Sequence, residues 1–228
     1  RFRNVTGVQT CALPIFFTHG DVNGFDFWAE TGGAKQGKIV TDAVKAAANG
    51  SVATVEAQNR WVQPDGSVAC TDTTIIRAQA IPGGRLLDYE VTIKAPADKP
   101  VVFRDTKEGS MSIRVAQWMT PPHGSAKKKS GANGTIVNDS GVRDTPESLD
   151  RALTAGEKGG NKTWGKKSAW VDYYAPKDGK VYGVAMFDHP KNPRHPTWWH
   201  VRDYGLFSAN PFGQHDFENK KDQPRLGD

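Results

Sequence analysis

Eight polar side chains able to do chemistry lie close together in FDHPKNPRHPTWWHVRDYGLFSANPFG, residues 187–213: Asp188, His189, Asn192, Arg194, His195, His200, Arg202 and Asp203. They alternate with Trp198, Trp199, Tyr204, Phe207 and Phe212. A solvated loop has no use for so many aromatics. A core has none for so many ionisable groups, because each must find a partner once desolvated. The stretch therefore reads as a site. A second polar set precedes it in FFTHGDVNGFDFWAE, where His19 and Asp21 flank Gly20 and share one side if the segment is extended, with Asn23 on the following turn.

The residue types suggest two jobs. His19, Asp21, Asp188, His189 and His200 can exchange protons and form the candidate catalytic set. Asn23, Asn192, Arg194, Trp199, Arg202 and Tyr204 form the candidate substrate-binding set. A pyranose offers an apolar face to stack and a ring of hydroxyls to hydrogen-bond, and an arginine fork adds a grip on a carboxylate. The expected ligand is thus a carbohydrate or a uronic acid, with Trp28, Trp170 and Trp198 as further stacking candidates. Hydrolase or lyase chemistry needs two carboxylates meeting across a cleft, drawn from Asp21, Asp105, Glu108, Asp172, Asp188 and Asp203, and the sequence leaves turnover open. One alternative is a metal-dependent oxygenase, since His19-Gly20-Asp21 with a later histidine resembles a His-x-Asp…His facial triad. Another is a non-catalytic structural module. No metal site and no cofactor is assigned from the sequence.

Composition narrows the classes further. The formal charge is +5 over 228 residues, and Lys127, Lys128 and Lys129 sit in a Gly/Ser-rich stretch where lysines are ordinarily just solvated, so no nucleic-acid partner is expected. No phosphate-cradling glycine loop and no G-x-S-x-G elbow is present, and no apolar run approaches the ~20 residues of a membrane-spanning helix. Residues 5–15, VTGVQTCALPI, are what an in-frame sequencing-library adapter encodes. The expectation is that residues 1–15 are an assembly artefact and that 16–228 form a single domain truncated at its N-terminus. Setting Arg1 and Arg3 aside leaves +3, and setting Cys11 aside leaves Cys70 as a lone small strand residue with no disulfide partner. The sequence does not indicate an oligomeric state.

The elements that must position these residues read as strands. Residues 51–63 and 67–80 are β-prone runs joined by Pro64-Asp65-Gly66, and Pro82-Gly83-Gly84 makes the next reversal. Leu87, Tyr89, Val91 and Ile93 then alternate with Asp88, Glu90, Thr92 and Lys94, one face for the core and one for water. Residues 101–103 and 111–118 continue the series, 37–47 carry no clear pattern, and 121–167 read as a long Gly/Lys-rich excursion with one short helix at 148–155. Strands resume at 169–174 and 181–187 around the KDGK turn. Many short strands with Gly/Pro/Asp turns predict an all-β antiparallel sandwich.

Four segments together carry a family resemblance: HGDVNGFDFW (19–28), FRDTKEGSMSIRVA (103–116), TWGKKSAWVDYYAP (163–176) and the 187–213 stretch. In this order they resemble a bacterial family of unknown function that goes under the name methane oxygenase PmoA. The resemblance spans most of the chain from Phe16 on. It implies a soluble, largely β domain, commonly part of periplasmic or secreted proteins of carbohydrate-degrading bacteria. It also implies a His-His-Arg-Gly run leading into residues 16–18, where this chain carries the adapter-like string.

Overall fold

The computed structural model describes residues 14–29, 32–121, 132–145 and 162–220. Twelve strands dominate them: β1 Ile15–His19, β2 Lys38–Asn49, β3 Val52–Val62, β4 Val68–Ile81, β5 Gly84–Lys94, β6 Gly109–Arg114, β7 Thr135–Asn138, β8 Arg143–Asp144, β9 Trp170–Lys177, β10 Lys180–Phe187, β11 Trp198–Val201 and β12 Leu206–Asn210. A 3-10 turn, Gln117–Met119, and a one-turn helix, α1 Gln214–Phe217, are the helical pieces among them. The expected antiparallel all-β class is what is observed. The strands form three four-stranded sheets, in the orders β1-β6-β12-β11, β10-β9-β7-β8 and β2-β3-β4-β5.

The chain divides into two compact units, one of residues 1–16 and 110–213, the other of 17–109 and 214–228. The first unit is a sandwich. Its core joins Ile113, Trp199, Val201 and Phe207 of one sheet to Ile136, Val171, Tyr173, Ala175 and Met186 of the other. These positions alternate along their strands, as burial of one sheet face requires. β9 and β10 are joined through Asp178 (φ 52°) and Gly179 (φ 74°), the left-handed pair that a two-residue hairpin needs. The excursion expected at 121–167 is not wholly outside the sheet, because β7 and β8 return to pair beside β9. The helix expected at 148–155 and the lysine triplet lie outside the described residues.

The second unit is built on the long meander β2-β3-β4-β5. Residues 37–47, patternless in sequence, belong mostly to β2, which pairs with β3 along its whole length. Trp61 centres the core, its ring 5.0 Å from that of Phe27, 5.7 Å from Phe103 and 6.2 Å from Phe17. Its indole N–H donates to the Asp72 carboxylate at 2.7 Å, which also accepts from Asn59 and Thr74 at 2.8 Å each. Cys70 is fully buried beside it and burial pushes its thiol up to about 12, so it behaves as an inert core residue. Residues 101–103, expected as a strand, contribute a single bridge between Val22 and Phe103.

Candidate functional site

Of the two polar sets, the one around His19 lies in the second unit, and its side chains fasten the turn that carries them. His19 is fully buried, its ring 5.3 Å from that of Phe103. Its Nε2–H donates to the Arg104 carbonyl at 2.6 Å. Burial lowers its pKa to about 4, against smaller opposing contributions from the Arg104 bond, Asp21 and Asp26, so the ring is neutral at pH 7. Gly109 is needed against it, since a Cβ there would stand 2.5 Å from His19 Nδ1. Asp21 accepts from the Gly24 N–H at 2.9 Å. Asn23, at φ 53°, accepts from the Val102 N–H at 2.8 Å.

In the first unit the 188–197 loop is organised by one carboxylate. Asp188 is 8% exposed and accepts from the Asn192 side chain at 2.8 Å, the His195 ring at 2.8 Å and the Thr197 N–H at 3.0 Å. His189 Nδ1 accepts from the Lys191 N–H at 3.2 Å, which leaves its proton on Nε2. Arg194, at φ 62°, donates to the Pro211 carbonyl at 2.8 Å and lies over the Phe212 ring at 5.1 Å. The structure thus brings Asp188, Asn192 and His195 together as a fastening. Trp199 is fully buried and donates to the Ser168 carbonyl at 2.9 Å, so its ring offers no face to a ligand.

A different surface emerges where β11 ends. Trp199 and Val201 enter the core, so Trp198, His200 and then Arg202 face the opposite side. On that side Ser208 stands between His200 and Ser112 in the strand register, and the hydroxyls of Ser112 and Ser208 are 2.6 Å apart. The row is polar yet buried: Ser112 and Ser208 are at 0% exposure and His200 at 2%. Its rim opens at the β11–β12 turn. There Gly205 (φ 96°) donates to the Arg202 carbonyl at 3.1 Å and Arg202 N–H donates to Leu206 at 2.7 Å, a three-residue hairpin whose left-handed position needs glycine. The turn presents Tyr204, 44% exposed.

The Arg202 guanidinium lies over two rings, 5.3 Å from the Tyr204 centroid and 5.9 Å from that of Trp164. Trp164 also stands edge-on to His200 at 6.3 Å. Three contacts hold this constellation. The buried Tyr173 hydroxyl donates to the Arg202 carbonyl at 3.2 Å, and burial pushes that phenol far above its ordinary value. Asp144 on β8 accepts from the Lys162 N–H at 2.6 Å and the Thr163 N–H at 2.9 Å, which fixes the residue before Trp164. Gly165 N–H then donates to the Trp199 carbonyl at 2.9 Å, laying this segment along β11.

Arg202, Tyr204 and His200 were legible as candidates, whereas Trp164, Ser112 and Ser208 were not singled out for this surface, nor was Arg114, whose guanidinium lies 5.7 Å from the Tyr204 centroid. Trp164 stands in a Gly/Lys-rich segment without periodicity, and the serine pair appears only when strands 96 residues apart are put in register. Among the carboxylates considered for acid–base work, Asp172 is held above the usual range by burial, and the residues opposite it on β10 and β7 are Ala185 and Val137. Among the described residues no three His, Cys, Asp or Glu side chains gather in a metal-holding group, and no helix is long and apolar enough to cross a membrane.

No curated protein and no solved structure matches the chain. The model of one family does, across residues 13–225, which takes in every strand described above. The chain belongs to that family, a family of unknown function designated DUF6807.

Proposed function

We propose that the protein is carbohydrate-binding, with hydrolase or lyase activity as its finer form, and that the ligand is taken at the rim formed by Trp164, Arg202 and Tyr204. The observation that carries this reading is the Arg202 guanidinium, which lies over two aromatic rings while its Nε is buried with no hydrogen-bond partner. A guanidinium fixed by stacking keeps its N–H edges aimed, which lowers the entropy lost on binding. An exposed tyrosine beside it offers the apolar face that a pyranose stacks on. Arg202 and Tyr204 from the expected binding set are retained in this proposal, and Trp164 replaces Trp199 as the second ring. Asp188, Asn192 and Arg194 act at one remove, by holding the adjoining loop.

The reading is tested by titrating a broad panel of neutral and acidic oligosaccharides into the purified chain by calorimetry. Saturable binding to at least one glycan, weakened about tenfold by Tyr204→Ala, is the expected result. A panel without binding, or binding that Tyr204→Ala leaves unchanged, favours the non-catalytic structural module instead.

A further inference from the structure

We infer that Arg114 and Arg202 form a carboxylate subsite, so that the sugar taken at this rim is acidic, a uronic acid; the inference rests on the carbohydrate reading above. Arg114 closes β6 and Arg202 follows β11, strands that β12 separates in the sheet. Their guanidinium carbons nevertheless lie near one ring, 5.7 and 5.3 Å from the Tyr204 centroid. Two other arginines meet acids, Arg60 with Asp42 at 2.6 Å and Arg77 with Asp88 and Glu90 at 3.2 Å, whereas Arg143 and Arg194 donate to the Tyr174 hydroxyl and the Pro211 carbonyl. Among the described residues neither Arg114 nor Arg202 has such a partner, and Asp203, next to Arg202 in the chain, bonds to neither.

Two guanidinium groups beside one ring, neither with an acidic partner among the described residues, repel each other. That repulsion costs free energy in the empty site, and a bound anion relieves it. A carboxylate matches the guanidinium fork with two coplanar oxygens, forming charge-assisted bonds about twice as strong as neutral ones. A neutral sugar does not relieve it. Tyr204, beside both guanidinium groups, then stacks the ring that bears the carboxylate.

The test compares a galacturonic acid trisaccharide, the neutral galactose trisaccharide and a monosaccharide phosphate, titrated at pH 7 into wild type, Arg114→Gln and Arg202→Gln. Arg114 is exposed at the end of its strand, so its replacement leaves folding unaffected even where that of Arg202 does not. The expected result is an acidic trisaccharide bound at least about tenfold tighter than its neutral counterpart, with that ratio falling toward one in either variant. Equal affinities in wild type, a ratio unchanged in both variants, or a preference for the phosphate would overturn the subsite while leaving the carbohydrate reading intact. Binding of no glycan from the wider panel removes both.

Discussion

Protonating His19 means placing a charge in a site with no exposed surface, and the unfolded chain takes that proton more readily. Its folded pKa, about 4, lies below the ordinary histidine value of 6.5, so the associated stability is fully present above pH 6.5 and is lost as pH falls toward 4. Unfolding free energies from denaturant melts should drop by about 3 kcal/mol across that window, and the His19→Gln protein should show a flatter profile. Equal slopes for the two would show that the ring is not the group responsible. Asp188 makes a separate demand on stability. Asp188→Ala leaves the donors of Asn192, His195 and Thr197 without their acceptor and should cost about 2–4 kcal/mol by chemical denaturation. Neither residue type announces such a role: His19 and Asp188 looked catalytic because imidazole and carboxylate are the groups that catalysis uses. The His19 acceptor, Arg104, lies 85 residues away in the chain, whereas Asp188 is bound by Asn192, His195 and Thr197 of its own loop, in a conformation that sequence spacing does not reveal.

At the scale of elements, the hairpins were readable wherever the turn carried its own chemistry. Pro64-Asp65-Gly66 and Asp178-Gly179 fix backbone angles locally, and the strands on either side of each fell as expected. β7 and β8 were hidden because they are short and lie within a polar, glycine-rich stretch, so their pairing with β9 comes from the sheet rather than from local pattern. The β11–β12 turn is where element and site meet. A Cβ on Gly205 would stand 2.9 Å from the Val115 carbonyl, and its φ of 96° suits glycine. Gly205→Ala should therefore cost about 1–2 kcal/mol in stability and weaken glycan binding further by displacing Tyr204. Full binding in a measurably destabilised Gly205→Ala protein would separate the turn from the site.

For the molecule as a whole, the meander of the second unit has two unlike faces. One carries the Lys45–Glu56 register pair and the Arg77 pairs with Asp88 and Glu90. The other joins Val55 to Ile76, Ile76 to Tyr89 and Ala78 to Leu87 in register, with Val44, Val55 and Leu87 at 62, 39 and 47% exposure. An apolar sheet face open to water favours association. Val55→Lys should reduce self-association in sedimentation runs at a stability change within about 0.5 kcal/mol, while Thr54→Lys on the charged face should not. A wild-type chain that stays monomeric at millimolar concentration contradicts this. The central claim, that ligand is taken at the rim of the first unit, is tested most directly by hydrogen exchange on the chain alone and saturated with its tightest glycan. The account predicts slowed exchange at residues 163–166 and 201–206. Slowing confined to the 188–195 loop or to the His19 turn would contradict it.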